Sequence, residues 1–270
     1  MKIISHVLRM VIIISISLLG STLTRAADDT VKEFEALKQS AEKGDAKAQF
    51  ELGLKYYKGD IPTQDKAASQ PLPGVMPTLP RISPYGEYTP PLGIPSFRLA
   101  KELAPNVKNR IEAAKWLKKA AEKDIPEAQF YLGLIYLEGV GVVRDVDEGI
   151  SLIRKAAEQG YLEAQFFLAM KYYYGEIVGK NYKEAAKWLI KLAEKGVIEA
   201  EDLLGRMYFE GQGVDKDLVQ AHIWLNVAGA SGNGASRQLL PQVEAQMTHE
   251  DIAKATKLAR GLFEKLNKGN

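Results

Sequence analysis

A single string of residues returns along this chain in a fixed register. AEKGDAKAQFELGLKYYKGD, at 41–60, comes back in modified form at 121–140, 157–176 and 193–212. The last three copies are 36 residues apart, and the first lies 80 residues before the second. Repetition at such a period is typical of solenoid proteins, in which each repeat packs only on its neighbours. The sequence therefore predicts an array of repeats.

Each repeat has the hydrophobic pattern of two helices. In the second copy the apolar residues Ala113, Trp116 and Leu117 lie at i, i+3 and i+4, which places them on one face of a helix. A second apolar face follows in the next helix, where such residues recur every four positions. Two columns stand out by residue type, the alanines Ala128, Ala164 and Ala200 and the tryptophans Trp116, Trp188 and Trp224. We expect both columns to pack in the core.

Local signals mark where the helices begin and end. An Asn or Asp followed three residues later by Glu or Gln is typical of a capping box, which satisfies free amide groups at a helix start. This pattern recurs every 36 residues, at Asn109, Asp145, Asn181 and Asp217. The turn between the two helices needs a residue that adopts a positive φ, and it carries Gly44, Gly160 and Gly196, with Asp124 in place of glycine in the second copy.

Glycine also stands in the middle of the second helix. It occurs at Gly53, Gly133 and Gly205, with Ala169 in the third copy. Glycine inside a helix costs about 1 kcal/mol relative to alanine. Because this cost is repeated in register, we expect a neighbouring helix to approach closely at these positions.

The chain resembles the Sel-1-like repeat (SLR) family, which is related to the tetratricopeptide repeats. The resemblance rests on three motifs, A-x-x-W-L-x-K-A-A-E at 113–122, A-Q-F-x-L-G-x-x-Y at 128–136, and G-x-G-V at 139–142 and 211–214. It covers residues 34–60 and 109–240. It implies a right-handed superhelix of antiparallel helix pairs with a concave groove, and protein–protein binding. The family offers no shared catalytic residues to carry over.

The repeated helix pairs predict an all-α solenoid with a 36-residue period. The resemblance implies that it is a right-handed α-solenoid of antiparallel helix pairs with a C-terminal capping helix. We assign a secretory signal peptide to 1–26, the first repeat to 27–60 and a proline-rich insertion to 61–108. Repeats two to five span 109–245, the last of them degenerate, and the capping helix spans 246–270.

The first residues have the layout of a secretory signal. A basic start with Lys2 and Arg9 precedes an apolar run at 10–20, which is too short to span a bilayer. Small side chains at Thr24 and Ala26 predict cleavage after Ala26, and an uncleaved anchor is the alternative. We therefore expect an exported protein, periplasmic or secreted.

The composition narrows the function classes further. Three of the 36 basic residues lie in the predicted signal, so the rest of the chain carries 33 basic against 34 acidic residues. This near-neutral balance provides no electrostatic basis for binding nucleic acid or an anionic membrane. The chain contains no cysteine, which excludes a disulfide, a thiol nucleophile and a thiolate metal site. We expect no cofactor, no metal and no stable membrane insertion after signal removal.

The insertion at 61–108 contains ten of the twelve prolines. Such a composition excludes a regular helix and favours an extended segment. Two interpretations stay open. The segment is either a loop of no consequence, or it lies across the groove or presents Tyr85, Tyr88 and Phe97 to a partner.

Tyrosines are more frequent near the ends of the second helices than packing requires. Tyr56 and Tyr172 belong to the core column, whereas Tyr57, Tyr173 and Tyr174 fall off it. Tyrosine suits contact surfaces, because it buries a large area at low entropic cost and keeps a polar tip. These three off-column tyrosines, together with the aromatic residues of the insertion, are the predicted partner-binding residues.

The sequence offers no constellation typical of an enzyme. His222 and His249 are the histidines that follow the predicted signal, and they do not make a metal site or a proton relay. We therefore predict a non-enzymatic adaptor of the bacterial cell envelope, periplasmic, that holds a protein partner in its concave face. Two alternatives stay open, a secreted effector or host-interaction factor, and an enzyme or binder that acts on cell-wall fragments.

Overall fold

The computed structural model describes residues 29–62 and 104–268. The predicted signal and most of the proline-rich insertion, with Tyr85, Tyr88 and Phe97, lie outside the described residues. Within the described ranges the regular elements are all helices, joined by short turns, and no strand occurs there. The predicted all-α fold is confirmed.

The described residues form eleven helices in five consecutive pairs and a final single helix. The first pair is α1 (29–42) with α2 (Ala46–Lys58), and the second is α3 (Ala104–Ala121) with α4 (Pro126–Glu138). The next pairs are α5 (Val146–Glu158) with α6 (Leu162–Tyr174), α7 (Tyr182–Ala193) with α8 (Ile198–Glu210), and α9 (Leu218–Ala230) with α10 (Gly234–Glu244). The single helix is α11 (His249–Lys268).

The chain divides into two compact units, and the described part of the first contains α1 to α4. Its core joins Ala41 of α1, Leu52 of α2 and Trp116 of α3, with Phe34 and Tyr56 packed against them. In the second unit, α6 packs on α7 and α8 packs on α9, so each helix pair packs against the next pair in the sequence. Packing between neighbours in sequence is the architecture of an α-solenoid.

The turn inside each helix pair has the backbone conformation that the sequence predicted. A residue two or three positions beyond the end of the first helix has a positive φ in all five pairs, at Gly44 (95°), Asp124 (59°), Gly160 (93°), Gly196 (77°) and Gly232 (107°). Asp124 is the one non-glycine residue with a positive φ among the described residues. Asp is among the residue types that tolerate this conformation, because a short polar side chain can hydrogen-bond locally.

Three of the four predicted helix caps are present. The side chains of Asp145, Asn181 and Asp217 accept hydrogen bonds from the backbone amides of residues 148, 184 and 220, at 3.0, 3.1 and 3.0 Å. These bonds satisfy amides that the starts of α5, α7 and α9 leave without partners in the helix.

The fourth predicted cap, at Asn109, is wrong. Helix α3 begins at Ala104, so Asn109 lies inside the helix rather than at its start. Residues 104–108, which the sequence assigned to the proline-rich insertion, are therefore helical. Pro105 permits this because proline is tolerated in the first turn of a helix, where its missing amide hydrogen is not needed.

The difference between a true cap and an interior position is measurable. We expect Asp217→Ala to lower the free energy of unfolding by about 1 kcal/mol, because the amide of Gln220 loses its acceptor. Asn109→Ala should change it by less than about 0.5 kcal/mol or raise it slightly, because alanine is the better helix former. Urea denaturation of both variants, followed by circular dichroism, makes the comparison. An equal loss for the two would contradict the cap assignment.

The mid-helix glycines lie where two helices meet. A Cβ atom at Gly53 would lie 2.7 Å from Cγ of Leu117, and a Cβ atom at Gly205 would lie 2.7 Å from Cγ of Leu225. Gly133 is buried as well. The alanine and tryptophan columns are also in the core. Ala128, Ala164 and Ala200 are 0 % exposed, and Trp116, Trp188 and Trp224 are 5, 7 and 8 % exposed.

Candidate functional site

Three tyrosine side chains contact one another in the second unit, where α6 ends and α7 begins. We call them the tyrosine patch, Tyr173, Tyr174 and Tyr182. The Tyr173 ring centroid lies 5.1 Å from that of Tyr174 and 5.2 Å from that of Tyr182, with edge-to-face angles of 84° and 67°. All three residues are partly exposed. Such packing holds the rings in fixed orientations while part of each remains open to solvent.

Polar groups fix the central ring of the patch. The Tyr173 hydroxyl donates to Oε1 of Gln212, 3.4 Å away, in the turn that follows α8. Burial raises the pKa of Tyr173 to about 12, helped by the carboxylate of Glu210 and the two neighbouring tyrosines. Tyr173 therefore stays protonated at neutral pH and acts as a hydrogen-bond donor. The ammonium of Lys180 lies 5.4 Å from the Tyr182 ring centroid, a cation–π distance.

The first unit has a cluster at the same register of the repeat, and it is closed. Tyr57 is 7 % exposed, and the guanidinium carbon of Arg110 lies 3.7 Å from its ring centroid. The Tyr57 hydroxyl donates to Oε1 of Glu138 at 3.2 Å, while Arg110 Nη2 contacts Oε2 of Glu138 at 3.3 Å. Burial, and after it the charge of Glu138, raise the pKa of Tyr57 above its ordinary value.

The other two residues of this closed cluster are Glu138 and Arg110. Burial raises the pKa of the Glu138 carboxyl, although the charge of Arg110 and the hydrogen bond from Tyr57 oppose the rise. Arg110 is 6 % exposed, and its Nη1 is buried with no hydrogen-bond partner among the described residues. The cluster is therefore a packed junction of α2, α3 and α4.

The outcome for the predicted tyrosines differs from one to the next. Tyr57 was expected off the core column but is buried, whereas Tyr56, expected in the core, is partly exposed and packs edge-on against Phe34, 5.9 Å away. Tyr173 and Tyr174 lie at a partly exposed surface, and Tyr172 is buried. Sequence reasoning missed Tyr182 and Gln212. Tyr182 follows the predicted cap at Asn181, and the capping pattern does not distinguish the residue after the cap as a contact residue.

Lysines flank two of the buried tryptophans. The Lys119 ammonium lies 4.2 Å from the Trp116 ring centroid, and the Lys191 ammonium lies 4.5 Å from that of Trp188. Both lysines stand in the last turn of a first helix. A positive charge there is also stabilising, because the C-terminal end of a helix dipole is negative. These contacts give the lysines a structural role at the edge of the core.

The described residues contain no group of histidine and acidic side chains that could hold a metal ion. His222 is fully buried, with Nε2 3.0 Å from Oε1 of Glu244, and His249 is exposed. No helix in the described part of the chain is long and apolar enough to cross a membrane.

A family model described as Sel1 repeat matches more than half of the chain, at residues 46–69, 107–125, 126–161, 162–197 and 198–233. The chain belongs to the Sel1 repeat family. Sel1 repeat solenoids are generally protein-interaction scaffolds and generally non-catalytic. The matched segments contain the whole tyrosine patch. They also contain Arg110 of α3 and Glu138 of α4, which belong to the closed cluster.

Two solved structures are similar to this Sel1 repeat chain. A crystal structure of a Sel1 repeat protein from Oxalobacter formigenes is 26 % identical, with a TM-score of 0.56, over 79 % of this chain and 49 % of that one. A protective antigen present in uropathogenic Escherichia coli strains, which displays an SLR fold, is 26 % identical with a TM-score of 0.37, over 87 % of this chain and 57 % of its own. The chain thus spans about half the length of these proteins. No curated protein matches it.

Proposed function

We propose that this Sel1 repeat protein is a non-enzymatic adaptor of the bacterial cell envelope, which binds a protein partner in the concave face of its solenoid with the tyrosine patch as an anchor. Residues 1–26 support an exported, periplasmic location, because they have the layout of a cleavable secretory signal. The Sel1 repeat fold supports a scaffold role.

The observation that carries the proposal is the partly exposed, preorganised tyrosine patch. Its three rings hold one another, so a partner that packs on them loses little side-chain entropy. Tyrosines are enriched among residues that dominate binding energy, because each combines a large apolar area with a hydroxyl that keeps a hydrogen bond. The equivalent cluster in the first unit cannot serve in this way, since Arg110 covers the Tyr57 ring.

Site-specific crosslinking in living bacteria tests the proposal. A photo-reactive amino acid is placed at Tyr174, and as a control at Tyr161, a partly exposed tyrosine at the opposite end of α6. We expect a discrete crosslinked protein from position 174, in the periplasmic fraction, and none from position 161. In a Tyr182→Ala background the yield should fall by about tenfold or more, as for an interface hot spot, and Tyr182→Phe should retain most of it.

Three outcomes would count against the proposal. Identical crosslinked bands from positions 161 and 174 would indicate non-specific proximity. Full crosslinking in the Tyr182→Ala background would remove the patch from the interface. Recovery of the protein in the cytoplasm would overturn the envelope assignment, whereas recovery in the growth medium would favour a secreted host-interaction factor.

A further inference from the structure

The second helices of the first three repeats each bury a glutamine near their start. These glutamines stand 80 and 36 residues apart and are at most 4 % exposed. Each donates from Nε2 to a carbonyl oxygen eight residues earlier, Gln49 to Ala41 at 3.0 Å, Gln129 to Ala121 at 3.4 Å and Gln165 to Ala157 at 2.8 Å. The bond ties the end of the first helix to the start of the second.

The fourth repeat has Glu201 at this register. Glu201 is 1 % exposed, and its Oε2 atom is buried with no hydrogen-bond partner among the described residues. The carbonyl eight residues earlier belongs to Ala193, which ends α7. A carboxylate has no proton to donate to a carbonyl oxygen, whereas a neutral carboxylic acid has one. A protonated Glu201 can therefore replace the glutamine, and an ionised one cannot.

The cations of the helices around Glu201 do not offset its burial. The lysines of α7 and Arg237 are exposed, and the charge that acts on the pKa of Glu201 is the negative one of Glu199. The helices packed against α8 are α7, α9 and α10, and their charged or titratable side chains include Lys183, Glu184, Lys187, Lys191, His222, Arg237 and Glu244. Glu184 pairs with Lys187, and His222 pairs with Glu244. On α8 itself, Arg206 is engaged by Asp202, and Glu199 adds a second negative charge. The site therefore favours the neutral form of Glu201.

We propose that Glu201 is a proton-dependent tie of the α7–α8 pair, closed when its carboxyl is protonated and donates to the Ala193 carbonyl, and open when it ionises. The ionised side chain would face a carbonyl oxygen in a buried place, which is unfavourable. The pair then loosens so that water reaches the carboxylate. The first three repeats carry glutamine at this register and the fifth carries Arg237, so the α7–α8 pair responds to pH in a way that the other pairs do not.

The direction of the pH effect follows from the proton balance. Burial, and after it the charge of Glu199, raise the pKa of Glu201 from 4.5 to about 7. Between these two values the folded protein holds a proton that the unfolded chain releases. The stabilisation is therefore complete below about pH 4.5 and is lost as the pH rises through about 7.

Amide hydrogen exchange at pH 5 and pH 8, normalised to the intrinsic exchange rate at each pH, tests the inference without any partner. In the unmodified chain we expect the opening equilibrium of α8 amides to rise about tenfold to hundredfold from pH 5 to pH 8. In Glu201→Gln this pH dependence should disappear, with α8 protected at both values. Gln165→Glu is the matched variant, and it should transfer the same pH dependence to the α5–α6 pair.

Two results would overturn the inference. One is an equal pH dependence of α8 exchange in the unmodified chain and in Glu201→Gln. The other is faster α8 exchange in Glu201→Gln than in the unmodified chain at pH 8. Glu199→Gln provides a further check, because the negative charge of Glu199 helps to raise the pKa of Glu201. Removing that charge should lower the pH midpoint of α8 opening, towards the ordinary glutamate value.

Discussion

Gly205→Val is expected to lower the free energy of unfolding by about 3 kcal/mol or more, and Gly205→Ala by about 1–2 kcal/mol. A Cβ atom at Gly205 would lie 2.7 Å from Cγ and 3.1 Å from the backbone nitrogen of Leu225, which is fully buried. The backbone of α9 cannot give way without separating the two helices. The overlap therefore outweighs the gain of about 1 kcal/mol that alanine brings to a helix interior.

Gly261→Ala is the control, and its effect should have the opposite sign. Gly261 lies inside α11, is exposed, and has no atom within 4 Å of the place where a Cβ would stand. Alanine should therefore raise the free energy of unfolding by about 0.5–1 kcal/mol. Urea denaturation of the variants decides the matter. If Gly205→Ala stabilised the protein as much as Gly261→Ala, the close approach of α8 and α9 would not limit the fold.

The helix pairs and their turns could be predicted because the signals for them are local. Capping side chains act within three residues, and the turn glycines act through their own φ, so a repeat of 36 residues displays them in aligned columns. The start of α3 could not be placed in this way. Asn109 matches the column of capping residues, but the residues before it are also helical. A side chain caps a helix only where the helix begins.

The exposure of the tyrosines could not be predicted, since it depends on a neighbour from another helix. Tyr57 and Tyr173 occupy the same register, yet Arg110 covers the first ring, and Tyr182 leaves the second partly exposed. Arg110 and Tyr182 are themselves equivalent positions of the repeat, although Tyr182 begins α7 and Arg110 lies inside α3. A variable position therefore decides whether this junction is closed or offers a surface.

The sequence shows that Glu201 stands where the first three repeats have glutamine, but it does not show that this difference matters. Gln49, Gln129 and Gln165 form a column, and a change from glutamine to glutamate is ordinary on a protein surface. The change matters only because the column is buried and each amide donates to a carbonyl. Burial of a polar column was not part of the apolar periodicity from which the core was predicted.

Ala259→Glu is expected to detach α11 and to lower the free energy of unfolding by about 3 kcal/mol or more, because it places a carboxylate in an apolar interface. Ala259 is 1 % exposed and packs with Ala255 against Ile223 and Val227 of α9. Leu258→Glu is the matched control one residue away. Leu258 is 48 % exposed, so the change should cost less than about 0.5 kcal/mol.

The reason that α11 is needed lies in the register of the first helices. Val219, Ile223 and Val227 of α9 are apolar, whereas the residues 36 positions earlier on α7 are Lys183, Lys187 and Lys191, all exposed. The same helix face is thus polar and solvent-exposed on α7, whereas on α9 it is apolar and needs a helix to cover it. Loss of α11 would expose an apolar stripe, as removal of a terminal cap does in other repeat arrays.

Hydrogen exchange and size-exclusion chromatography measure the consequence directly. In Ala259→Glu, the amides of α11 should exchange at least about tenfold faster than in Leu258→Glu, since a cost near 1.4 kcal/mol already corresponds to that factor. The exposed stripe on α9 should also cause self-association at high concentration. If α11 of Ala259→Glu kept its protection and the protein stayed monodisperse, α9 would not depend on α11 for cover, and the capping role of this helix would be wrong.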